Sequence, residues 1–133
     1  MTKIESEEAV INKPASEIYN FLSDFNNFKS IMPEQVIDWK STENDCSFTI
    51  KGMASLGMEF EEKVPSSLIK IRQKGKAPFD FTIHCILDEA SPSSSKLKLA
   101  MDADLNPFLK MMAEKPLKKF LDTLVMGYQK ING

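Results

Sequence analysis

The chain has 133 residues, a formal net charge of −2 and a sequence pI near 5.5, with 42% hydrophobic and 27% charged residues. That size and composition predict one globular domain, residues 1–133, with a sizeable core. The charge offers no electrostatic footprint for nucleic acid, and no apolar run approaches the roughly 20 residues of a membrane span. The first residues, Met1 to Glu8, lack the apolar core of a signal peptide, so a cytoplasmic location is expected. Cys46 and Cys85 both fall in apolar runs and read as buried thiols rather than a disulfide.

Lys3 to Lys13 reads as a first strand whose facing is ambiguous, because Ile4/Val10 and Ala9/Ile11 imply opposite phases. Pro14 suits the first turn of a helix, Glu17 complements its dipole, and Ile18, Phe21, Leu22 and Phe25 form its buried stripe. Asn26-Asn27 breaks that helix. Phe28, Ile31 and Met32 then make a second short helical turn, which Pro33 ends.

A meander follows. Gln35 to Lys40 is a strand carrying Ile37 and Trp39 in one phase, and Thr42 to Asp45 is its turn. Cys46, Phe48 and Ile50 alternate with polar residues, the mark of a half-buried strand. Gly52 and Gly57 bracket an apolar, irregular piece, Met53 to Leu56. Met58, Phe60, Glu62 and Val64 share a phase until Pro65-Ser66-Ser67 turns the chain. Leu68 to Lys74 is the next strand, and Gly75 to Pro78 a loop. Phe79, Phe81, Ile83, Cys85 and Leu87 alternate through another strand, and Ser91 to Ser95 forms a hairpin turn. Leu97, Leu99, Met101, Ala103 and Leu105 complete a seventh strand.

From Pro116 the chain reads as one amphipathic helix with Leu117, Phe120, Leu121, Leu124, Val125, Tyr128 and Ile131 on a single face. Phe108, Leu109, Met111, Met112 and Ala113, just before it, are apolar nearly all round. They need a cover, either loops at a cavity mouth or a second subunit. Pro116 is expected to kink the helix or start it afresh. Met126 is a lone apolar residue on the polar face, expected to be exposed or at a dimer contact. The expected fold is α+β: a curved seven-stranded antiparallel sheet wrapped around a long C-terminal helix, with two short helices between the first and second strands.

The run Val10-Ile-Asn-Lys-Pro-Ala-Ser-Glu-Ile-Tyr-Asn-Phe-Leu-Ser-Asp24 resembles the strand-to-helix opening of the START-like superfamily, also called SRPBCC. This helix-grip fold is that of polyketide cyclases and birch-pollen-allergen relatives. Asn26 to Pro33, the meander and the helix after Asn106-Pro107 support the resemblance, which spans essentially the whole chain. The region Gly52 to Gly57 lacks the glycine-rich loop of the pollen-allergen branch, and the chain is shorter than a full lipid-transfer START domain. The resemblance implies an apolar cavity between helix and sheet that takes up a hydrophobic small molecule such as a lipid, a polyketide-like compound or an aromatic.

The expected lining is Phe21, Phe25, Phe28, Trp39, Phe48, Ile50, Met58, Phe60, Phe81, Ile83, Met101, Phe120, Leu124 and Tyr128, with Glu62, Tyr128 and the Trp39 indole available to orient a ligand. Glu62 is the one candidate for catalysis, a carboxylate on an apolar face whose pKa desolvation would raise; the plainer alternative is a strand-end glutamate reaching water. The sole histidine, His84, shares a phase with Asp80 and Thr82 and points to solvent. Cys85, next to it, points the opposite way, which disfavours a Cys-His pair. Nothing clusters as a metal site, and no cofactor is assigned. Lys70, Arg72, Lys74 and Lys76 form a basic stripe, either solvated or a site for an anionic headgroup. Met32, Met53, Met58, Met101, Met111 and Met112 suit either a cavity wall or irregular core. A binder or carrier is the first reading. A cyclase- or dehydratase-like enzyme using Glu62, or an interaction module with a closed core, are the rivals. A homodimer through Phe108–Met112 or Met126 is the candidate assembly.

Overall fold

The computed structural model describes residues 1–132. Its elements in order are β1 (Thr2–Glu5), β2 (Ala9–Ile11), α1 (Ala15–Leu22), a 3-10 helix (Phe25–Ile31), β3 (Val36–Ser41), β4 (Asp45–Ile50), β5 (Ala54–Val64), β6 (Leu68–Gln73), β7 (Phe81–Ser91), β8 (Ser94–Ala103) and α2 (Pro107–Asn132). All strands join one antiparallel sheet, in the order β1-β8-β7-β6-β5-β4-β3, with β2 also paired to β8. The helices lie against one face of it. This is the expected helix-grip architecture.

Three one-residue insertions set which side chains reach the core, and each revises a phase read from the sequence. The expected first strand is divided in two. Glu5 stands opposite Ala100 and Ala9 opposite Leu97, so four steps on one side match three on the other. The bulge therefore lets Ile4, Ala9 and Ile11 all face inward while Val10 is 52% exposed. Buried Ser6 stitches the gap, its N–H donating to the Leu99 carbonyl at 2.8 Å and its Oγ accepting from the Leu99 N–H at 2.9 Å. A second bulge lies between Ile37 and Lys40, where Asp38 takes the left-handed region at φ 55°. It turns Ile37 outward and Trp39 inward, so the two do not share a face. The third lies between Phe60 and Glu62. Beyond it Glu62 pairs with outward Lys70, and Lys63 pairs with buried Ile69.

The piece between Gly52 and Gly57 is regular strand from Ala54, with Leu56 buried. Gly52 makes the preceding turn at φ 81°. A Cβ on Gly57 would stand 2.5 Å from the Lys74 carbonyl oxygen, so no larger residue fits there.

Pro14 precedes α1 and supplies no side-chain cap; instead the Glu89 carboxylate reaches from β7 to accept the Ala15 N–H at 3.0 Å. Lys63 closes the other end, donating to the Ser23 carbonyl at 3.0 Å. In the 3-10 helix Phe25, Phe28 and Ile31 are buried at intervals of three, the repeat of that geometry, so Phe25 belongs here rather than to α1.

Helix α2 runs unbroken through Pro116, for about 39 Å at the usual rise. Asn106 caps it, its Oδ1 accepting from Leu109 N–H at 2.8 Å, and Pro107 opens it. Leu117, Phe120, Leu121, Leu124, Val125 and Tyr128 are buried as the periodicity requires, whereas Ile131 is 55% exposed. Met126 is exposed, in keeping with the helix phase. Gly127 brings α2 onto the 3-10 helix, where a Cβ would lie 3.0 Å from the Ile31 carbonyl oxygen. Among the described residues no helix is long and apolar enough to cross a membrane.

Candidate functional site

The space between the sheet and the second half of α2 is filled by side chains. Trp39 stacks on Phe48 at 5.4 Å between centroids, and Phe48 on Phe120 at 5.8 Å. Phe25 stacks on Phe60 at 4.1 Å and tilts against Phe28 at 5.0 Å, while Phe21 meets Tyr128 edge-on at 4.9 Å. Met58, Phe81, Ile83, Met101 and Leu124 are buried in the same core. The Trp39 indole N–H already donates to Ser41 Oγ at 3.1 Å. Burial, then the Glu17 carboxylate, raises the Tyr128 phenol above its ordinary pKa.

A cavity of about 500 Å³ opens at the other end, under the first half of α2. Four segments wall it: Pro33 and Gln35 after the 3-10 helix; Ile50 to Ala54 around the β4–β5 turn; Pro78 and Phe79 before β7; and Phe108, Leu109, Met112, Ala113, Lys115, Pro116, Lys119, Phe120 and Thr123 of α2. Of the lining expected from the sequence, Ile50 and Phe120 stand in this wall. The others lie in the packed core, except Glu62. The β5 bulge turns Glu62 outward to an exposed position, away from the inner face assigned to it. Most wall residues that periodicity missed sit in loops and at the start of α2, where no strand or helix repeat operates; Lys119 and Thr123 lie farther along α2, on the face read as polar. The one signal for the others was uncovered apolar sequence, in Met53 to Leu56 and Phe108 to Ala113.

The polar groups in the wall are Gln35, Thr123 and three lysines, Lys51, Lys115 and Lys119. No carboxylate and no histidine stands among its described residues. His84 is on the convex face, paired between Lys70 and Ala100. Three of the four cations of the basic stripe meet acids: Lys70 meets Glu61 at 2.9 Å, Arg72 meets Glu59 at 2.8 Å, and Lys74 meets Asp45. Hydrogen bonds from Lys70 and Lys74 hold the Glu61 and Asp45 carboxyls below their ordinary pKa. Both cysteines are free and buried, and burial pushes their thiols up to about 12, leaving them protonated at neutral pH. No group of three or more metal-ligating side chains occurs among the described residues.

With this geometry the whole chain superposes on solved structures of one architecture. A START superfamily protein from Mycobacterium smegmatis matches at a TM-score of 0.77, 12% identity, over 98% of this chain and 96% of that one. The chain has the START-like, helix-grip fold. BexL, a di-domain ARO/CYC from the BE-7585A biosynthetic pathway, matches this START-like chain at 0.76 and 16% identity, over 98% of this chain and 46% of BexL. Norcoclaurine synthase from Thalictrum flavum matches at 0.76 and 11%, over 98% and 85%. No family model and no curated protein matches the sequence. At these identities the likeness is one of fold.

Proposed function

We propose that this START-like chain binds a hydrophobic small molecule at the mouth of the grip, beneath the first half of α2. The observation that carries the proposal is the cavity itself: about 500 Å³, walled mainly by Pro33, Met53, Phe79, Leu109, Met112 and Phe120. That volume lies within the range of about 300–1,000 Å³ usual for small-molecule sites. Burying an apolar ligand there removes both its surface and the exposed faces of Phe108 and Met112 from water, the non-directional driving force such a wall provides. Solved proteins of this fold include named cyclase and synthase enzymes. The acid/base candidate, Glu62, stands outside the cavity, so binding rather than turnover is the reading supported here.

Titration with the neutral fluorophore N-phenyl-1-naphthylamine tests it. A saturable, single-site rise in emission is expected. Ala54→Trp, which places an indole in the cavity, should abolish that rise while circular dichroism and Tm stay near wild type. No rise with the wild-type protein, or an undiminished rise with folded Ala54→Trp, would refute the proposal.

A further inference from the structure

Resting on that reading, we infer that the ligand is an anionic amphiphile, its apolar body in the cavity and its head group at a lysine rim. The inference comes from the charges that stand in the cavity wall, three lysines and no acid among its described residues. On the convex face Lys70, Arg72 and Lys74 each meet a carboxylate, and along the β1–β8 edge Lys96 and Lys98 meet Glu8 and Glu5. The cavity wall includes Lys51 from the β4–β5 turn and Lys115 and Lys119 from successive turns of α2, and the described wall holds no acid to answer them. Among the described residues none of the three takes part in an ion pair, a state they share with other lysines such as Lys76 and Lys110.

Like charges brought to one opening repel, and a neutral ligand would leave that repulsion in place. A carboxylate or phosphate head relieves it. An apolar wall beside the cations lowers the local dielectric, which strengthens attraction for an anion relative to an open surface. The lysine stems also suit this arrangement, since four methylenes lie along apolar wall while the ammonium stays at the water boundary. The two chemistries of the site therefore divide along the ligand. Shape and hydrophobicity select the body, and charge selects the head.

Displacement of N-phenyl-1-naphthylamine by decanoate, decyl phosphate and decanol, each below its micelle concentration, tests this directly. The anions should bind about tenfold more tightly than decanol, the summed effect of a few partly exposed ion pairs. The gap should narrow as salt is raised. The triple variant Lys51→Gln/Lys115→Gln/Lys119→Gln changes only exposed side chains. It should bring the anions down to parity with decanol. The order of decanoate and decyl phosphate then tells a fatty-acid-like head from a phospholipid-like one. Equal binding of decanol and the anions to wild type, or a preference that survives the triple variant, would overturn the head-group inference while probe binding keeps the cavity reading intact. Anion binding that persists in Ala54→Trp would also overturn it, as surface association. Failure of the neutral probe itself would remove both.

Discussion

The two halves of α2 belong to one unbroken helix and meet the protein on different terms. From Leu117 to Tyr128 it lays a continuous apolar stripe on β1, β2, β8 and the 3-10 helix, and six of those side chains are at most 3% exposed. From Pro107 to Pro116 it overhangs loops. Only Ala113 is buried there, and Phe108, Met111 and Met112 are 67%, 82% and 63% exposed. Both halves are rich in apolar residues, so composition does not separate them; what lies underneath does. The packed half fixes the fold, and only Lys119, Phe120 and Thr123 at its start reach the cavity wall. The overhanging half leaves the space that the proposed ligand fills.

Substitutions that probe this difference should rank accordingly. Leu121→Ala removes a fully buried side chain from the packed half, and is expected to destabilise by about 2–5 kcal/mol in urea unfolding. A loss below about 1 kcal/mol would mean that the deep interior is less closed than the aromatic stacks indicate. Dryness of the same interior is also readable through pH. The buried thiols of Cys46 and Cys85 rise from 9.0 to about 12 in the fold. Above pH 9 the unfolded chain releases those protons and the folded chain does not, so stability present in full below pH 9 is lost as pH climbs towards 12. The urea midpoint should fall between pH 8 and pH 10.5, and less steeply in Cys85→Ala than in wild type; an equal slope would remove the thiol as the cause. The smallest effect belongs to the overhang. Met111→Ser should change stability by less than about 0.5 kcal/mol, because its side chain is already in water. A larger loss would mean that something covers Met111 in solution, and sedimentation would then show whether it is a second copy.

Much of this fold was legible in the sequence, and the part that was not has a common cause. Strict alternation in β7 and β8, the spacing from Leu117 to Tyr128 and the opening from Val10 to Asp24 all report directly on which residues face inward. Bulges break that link. A single inserted residue inverts every phase beyond it, and the sequence marks its position weakly. Ile4 with Ala9 and Ile11 looked contradictory for that reason, and Glu62 was read as inward when Lys63 takes that place. Asp38 is the clearest local mark, since Asn and Asp tolerate a positive φ better than most residues. The cavity was half legible. Phe108 to Ala113 announced an apolar segment without a cover, but which loops approach it depends on sheet curvature. Pro33, Met53 and Phe79 are distant in sequence and meet only in the folded chain.

Pro116 gives the overhang a mechanical character. A proline inside a helix has no N–H to offer the carbonyl one turn back, so the Met112 carbonyl lacks its usual partner where α2 crosses the cavity. On one side of that missing link, close contact at Gly127 clamps the helix to the 3-10 helix; on the other, Ala113 alone is buried. The helix is held at both ends, by the packed core beyond Leu117 and by the short connection to β8, where Asn106 caps it, and the proline-weakened span between them crosses the cavity.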